Sequence, residues 1–238
     1  MPPWNTGRQD ARERERMADL VLYGNEVSGY CCKVRIILAH KAITYRDEAP
    51  PDGYGSAAYR AIVPTGTIPA LAHRGLVLSE SEAIAEYLDE AWSSPPMLPG
   101  DAASRARLRQ LARFHDSRLE PPLRTLFAHV ASSSRDDAMV AAQMALYAQR
   151  LGELARIADP RPLLGGETLT LADCGYPATL MLGRGMAAAF GVTVVLPGNL
   201  AAYEQALAAH PSVVPALTRC HAATEAWFTM KLGRPLRF

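Results

Sequence analysis

Ser28 stands three residues ahead of Cys31 in the stretch SGYCCKVRIIL, residues 28–38. The spacing is that of a Cys-x-x-Cys redox motif with serine in place of the leading cysteine, and it opens three readings. The first is a helix N-cap, for which serine is among the best residues. The second, a redox site, is weak: Cys31 and Cys32 are adjacent, adjacent side chains on a helix diverge, and no ordinary disulfide joins them. Cys31 reads as core and Cys32 as pointing away from it. The third is a hydroxyl that activates a thiol brought by a substrate. A thiolate over the helix start would accept a charge-assisted hydrogen bond worth about 1.5–3 kcal/mol, and the helix terminus adds about 0.3–1 kcal/mol. One pKa unit is about 1.4 kcal/mol, so a thiol near ~8.5 would fall to roughly 6–7. Ser28 need not remove a proton; it stabilises the anion.

Two further stretches offer partners for such a substrate. VPTGTIPAL, residues 63–71, sets Pro69 at the opening of a strand. Ile68 is then free to present its backbone to a ligand, and a cis Ile68–Pro69 bond would sharpen the turn; a proline opening a strand is also ordinary. LSESEAI, residues 78–84, puts Glu80 and Ser81 at a helix start. There, free N–H groups and a hydroxyl suit a carboxylate, while Glu80 suits an ammonium. Capping alone would explain the cluster equally well.

The elements that carry these residues fall into two textures. LVLY (20–23) reads as a first strand, and from Gly29 to His40 the residues Cys31, Val34 and Leu38 line one helical face. ITYRDE (43–48) reads as a second strand, AAYRAI as a short helix at best, and IPALA (68–72) and LVLS (76–79) as a hairpin around Gly75. A helix with Ala83, Ile84, Tyr87, Leu88 and Trp92 on its apolar stripe follows. SSPPMLPGD, residues 93–101, is a linker. Beyond it the pattern predicts helices near 102–130, 136–158, 171–189, 199–209 and 211–230, the last broken near Cys220. Thr170 and Asp173 form a variant capping box, and VTVVLPG (192–198) reads as loop despite its β propensity.

Composition narrows the function classes. The 238 residues are 49% apolar, enough for a real core, and Lys+Arg 25 against Asp+Glu 24 leaves no basic block for nucleic acid. Four cysteines make no disulfide framework in a chain this long. The charged start, residues 1–17, reads as a flexible arm without the apolar segment of a signal peptide, with Met17 as an alternative start. No run of about 18 apolar residues follows. A cytoplasmic protein with no membrane partner is expected. The histidines show no metal-ligand spacing, so no metal is expected either.

In order along the chain, these motifs resemble the glutathione transferase family, in its bacterial serine-type, theta- or zeta-like form. S-P-[FY]-x-x-K-V-R is similar to Ser28–Arg35, N-P-x-G-x-[VI]-P-x-L to Val63–Leu71, and L-[ST]-E-S-x-A-I-x-x-Y-L to Leu78–Leu88. LTLADC and residues 199–217 resemble the family's helical region, and the similarity spans roughly 18–230. Gly29, Val63 and Thr67 depart from the family's proline, asparagine and lysine or glutamine.

The resemblance implies an α/β thioredoxin-like domain over 18–92 and an all-helical domain over 102–238. It implies glutathione as cosubstrate, with Ser28 on its sulfur, Ile68 and Pro69 on its cysteinyl backbone, and Glu80 and Ser81 on its γ-glutamyl end. A small hydrophobic electrophile would meet the thiolate, and the family implies a homodimer. The electrophile would be lined by Leu111, Phe114, His115 and Arg118 on one face of the first helix past the linker, although a solvated face explains His115 and Arg118 as well. Alternatives are an isomerase similar to maleylacetoacetate isomerase, or a glutathione-binding protein without turnover.

Overall fold

A computed structural model describes residues 20–238; the expected arm at 1–17 lies outside them. Strand β1 (Leu20–Tyr23) leads through a loop to helix α1 (Gly29–His40), then to β2 (Arg46–Glu48) and a four-residue helix α2 (Ala57–Arg60). The hairpin β3 (Ala70–His73) and β4 (Leu76–Ser79) precedes α3 (Ser81–Ala91). The sheet runs in the order β2-β1-β3-β4. β1 and β2 are parallel, while β3 is antiparallel to both β1 and β4. This is the thioredoxin-like arrangement.

Everything after the linker among the described residues is helical or loop, apart from one isolated bridge between Leu163 and Gly166. Helix α4 (Ala102–Phe114) passes through a π-helical turn (His115–Leu119) into α5 (Glu120–Thr125). Then follow α6 (Asp137–Ile157), α7 (Tyr176–Phe190), α8 (Gly198–Ala209) and α9 (Val214–Leu232). Residues 192–197 are irregular, as the loop reading expects, although Gly198 at its end already opens α8. The expected break near Cys220 is absent: α9 runs through it, with Cys220 buried. Thr170 and Asp173 form their capping box, and the Asp173 carboxylate also accepts from Leu164 N–H at 2.9 Å and the Tyr203 hydroxyl at 3.0 Å.

The π turn has a cause in the sequence. Pro121 and Pro122 have no N–H to give to the carbonyls of Ser117 and Arg118, four residues back. The helix widens instead, and Glu120 N–H bonds the carbonyl of His115, five residues back.

Helix α1 is central. One side meets the sheet and α3, while α7 and α9 cover the other, so every residue from Cys31 to Leu38 is buried. Cys32 therefore does not point to solvent as expected. It packs beside Cys220 of α9, and that neighbour together with burial pushes its thiol well up. All four cysteines are free thiols. A continuous apolar core joins the sheet, through Leu22, Ile37 and Leu88, to Leu119, Met181 and Phe228 of the helical part. The linker is fastened too: Lys41 donates to the carbonyls of Trp92 and Pro95 at 2.6 and 2.7 Å, and pairs with Asp89 at 2.7 Å.

Candidate functional site

Two chain crossings create the site. After β1 the chain turns so that Ser28 caps α1, its Oγ accepting the Cys31 N–H at 3.3 Å. Before β3 the Ile68–Pro69 bond is cis, and the N–H and C=O of Ile68 enter no turn or loop hydrogen bond. Beside the second, and reached by the first turn of α1 through Tyr30, lies a cleft of about 280 Å³, lined by Tyr30, Thr67, Ile68, Pro69, Glu80, Ser81, Asp116 and Arg124. Four residues singled out from sequence, Ile68, Pro69, Glu80 and Ser81, thus meet in one place. Ser28 does not line the cleft; Tyr30, two residues further along α1, does.

Capping does not explain the Glu80–Ser81 pair. Glu80 occupies the N-cap position of α3 but makes no side-chain cap bond, and its φ is +75° with ψ 109°. That conformation costs a non-glycine residue about 1–3 kcal/mol and clusters at functional sites. Its carboxylate takes no hydrogen bond or ion pair from the described residues. Ser81 is already inside the helix, and its Oγ accepts from Lys33 Nζ at 3.4 Å.

Behind the cleft lies a buried charge cluster. Lys33 is 1% exposed and pairs with Glu82 and with Asp116, the latter at 3.0 Å. Burial first, with the nearby Arg113 charge, lowers the Lys33 ammonium's pKa, and Asp116 opposes that. Burial would raise the Asp116 carboxyl, but the His115 hydrogen bond and the Lys33 charge outweigh it and hold it at about 2. His115 Nδ1 lies 2.6 Å from Asp116 Oδ1 and its Nε2 lies 2.7 Å from Thr179 Oγ1, which in turn donates to Glu120. Gly175 makes room for this ring: a Cβ there would lie 2.6 Å from it.

The expected electrophile face is divided. Leu111 is core, and His115 is 2% exposed within the charge cluster rather than on a solvated face. Phe114 and Arg118 line a different cleft, between α4 and α6, with Arg113 and Arg156. The π turn breaks the register that a regular helix would have kept. Sequence reasoning missed Asp116 and Arg124 for that reason. Tyr30 was within the motif, but helical spacing alone did not single it out. Lys33 carried a usable signal: a cation inside a helix otherwise buried from Cys31 to Leu38 needs acids facing it.

Among the described residues no cluster of His, Cys, Asp or Glu could hold a metal, and no helix is long and apolar enough to cross a membrane. A four-stranded mixed sheet with a cis proline opening β3, backed by a helical region, defines a thioredoxin-like domain joined to an α-helical one. The family description "Glutathione S-transferase, N-terminal domain" matches residues 22–96. A stringent starvation protein A homolog of Pasteurella multocida is 31% identical over 68% of this chain and 73% of its own. A glutathione S-transferase of Pseudomonas putida is 30% identical over 79% of this chain and 84% of its own. Among solved structures, the Tau class glutathione S-transferase of mango superposes with a TM-score of 0.72 at 26% identity, covering 87% of this chain and 96% of that one. The chain belongs to the glutathione S-transferase family.

Proposed function

We propose that the cleft binds glutathione and that the protein conjugates its thiolate to a small electrophile. The observation that carries this reading is the meeting of Ile68, Pro69, Glu80 and Ser81 around one cleft. Ile68 offers a backbone pair for the cysteinyl unit. The free N–H groups of α3 and the Ser81 hydroxyl suit the γ-glutamyl carboxylate, and the unpaired Glu80 carboxylate suits its ammonium. Ser28 acts on the sulfur from the start of α1, and a wild-type chain should release product from glutathione and an aryl halide.

Glu80→Gln keeps shape and removes charge. It should weaken glutathione by about tenfold, the lower end of a charge-assisted hydrogen bond, and weaken a deaminated analogue by much less. Calorimetric titration of both ligands tests this, and equal weakening of the two removes the ammonium contact.

A second reading, glutathione binding without turnover, is favoured by one observation: Ser28 Oγ serves as a cap and does not line the cleft. Tight glutathione binding with no conjugation across a panel of electrophiles would select it.

The cytoplasm fits a protein that uses a reduced thiol and whose cysteines are free. A homodimer is part of the proposal as well. β4 is an edge strand with Leu76 41% and Val77 39% exposed, beside a half-buried group in which Trp92 lies 5.3 Å from His73 and Tyr87 6.5 Å from Trp92. An apolar edge of this kind asks for a cover. Light scattering should give about twice the 25.8 kDa chain mass; a single-chain mass at micromolar concentration rejects the dimer.

A further inference from the structure

The cleft that Glu80 and Ser81 line also carries a cation, Arg124, whose guanidinium makes no hydrogen bond with the described residues. Arg124 reaches the cleft from α5, its guanidinium 5.1 Å from the Tyr30 ring centre and 5.3 Å from that of Phe127. Two aromatic faces thus fix its position. Among the described residues its one ionic neighbour is Glu120 at 3.6 Å, too far for a hydrogen bond. None of its N–H groups is spent on the described residues, and the side chain is 43% exposed. The Tyr30 hydroxyl likewise makes no hydrogen bond with the described residues.

The acids nearby do not cancel this cation. Asp116 is already engaged by Lys33 at 3.0 Å and His115 at 2.6 Å. Glu80 faces the end of the cleft assigned to the glutathione ammonium. Glu120 is 1% exposed, gives one oxygen to Thr179 and leaves the other without a hydrogen bond. It anchors the arginine from behind without occupying its donors. Tyr30 is held in its protonated form by burial first, then by Glu120 and Asp116, so the phenol can donate. A guanidinium and a phenol that both donate, lining one small cleft with the guanidinium over the phenol ring, suit an oxyanion.

We propose that the second substrate carries a carboxylate, held by Arg124 and Tyr30 while the glutathione sulfur attacks the neighbouring ring or chain. This rests on the glutathione reading above and names the substrate class for it. With chlorodinitrobenzoate as the electrophile, the thiol proton goes to solvent and the thiolate sulfur bonds the chlorine-bearing carbon. The C–Cl bond then breaks with its electron pair, and chloride leaves. The carboxylate takes no part in the bond changes and serves only for recognition.

The decisive experiment is made independent of turnover. Dinitrobenzoate, which lacks the leaving group, and its neutral amide are titrated calorimetrically into glutathione-saturated protein. The wild type should prefer the acid by about tenfold, as one charge-assisted contact gives. Arg124→Gln should bring the acid-to-amide ratio close to one, Arg124→Lys should restore part of it, and Tyr30→Phe should lower it by a smaller factor. A wild-type ratio near one, or a ratio that survives Arg124→Gln, overturns the proposal. Glutathione and γ-glutamylcysteine are titrated into the same variants. If Arg124→Gln weakens glutathione more than γ-glutamylcysteine, Arg124 holds the glycyl carboxylate and the proposal is likewise overturned. Absence of glutathione binding in the wild type instead refutes the underlying reading. In that case the acid preference is measured on the unliganded protein, where a ratio near one again overturns the anion site.

Discussion

Lys33→Met should destabilise the fold by about 3–5 kcal/mol, the cost of leaving buried charge without its partner. Methionine matches the length of the lysine stem, so a cavity contributes little. The cost arises because Glu82, 7% exposed, and Asp116, 22% exposed, lose their ammonium. Arg113 reaches Glu82 only at 3.4 Å from an exposed position and cannot replace it. The pH dependence has a definite sign. In the wild type the Asp116 carboxyl is held at about 2, below its unfolded value of ~3.9. Its contribution is therefore fully present above about pH 4 and is lost as the pH falls through 2. In Lys33→Met both acids can take up protons, so the deficit against wild type should shrink as the pH drops below neutral. Urea denaturation across that range checks both statements. The double variant Lys33→Met/Glu82→Gln should recover part of the loss, because it removes an orphaned charge.

The cluster also shows where sequence reasoning reached and where it stopped. Strands β1 and β4 were legible to the residue because short apolar runs end at polar turns. The cleft residues Ile68, Pro69, Glu80 and Ser81 were legible because each sits at an element boundary, where backbone groups are free by construction. Residues past the linker were harder. Leu111, Phe114, His115 and Arg118 share a face only on a regular α-helix. The consecutive Pro121 and Pro122 impose a π turn that sends His115 inward and brings Asp116 to the cleft. Cys32 was misjudged because helical periodicity alone cannot show that α7 and α9 cover the far side of α1. Such burial is a property of the assembled fold, and it is the same packing that makes Lys33 an interior cation.

Ser28→Ala should lower conjugation at neutral pH by about ten- to a hundredfold, corresponding to the loss of one charge-assisted hydrogen bond of roughly 1.5–3 kcal/mol. The hydroxyl already sits at the N-terminus of α1, where its oxygen accepts from the Cys31 N–H. An oxygen that accepts a backbone N–H can still donate its own proton to a sulfur anion. The alanine variant also loses a cap, worth about 0.5–2 kcal/mol of stability, so rates are compared per folded molecule. Cys31→Ala and Cys32→Ala serve as controls: both thiols are buried and raised by their surroundings, and turnover should persist in each. Loss of turnover with either one would point to a thiol mechanism in place of the serine.

We propose above that this protein stabilises the thiolate of bound glutathione through Ser28. The most direct measurement is the ultraviolet thiolate absorbance of the protein–glutathione complex, titrated with pH in the wild type and in Ser28→Ala. The bound thiol in the wild type should titrate about one to two units below free glutathione, and Ser28→Ala should return it most of the way. Identical titration curves in the two proteins, or a wild-type complex that titrates like free glutathione, would contradict the claim.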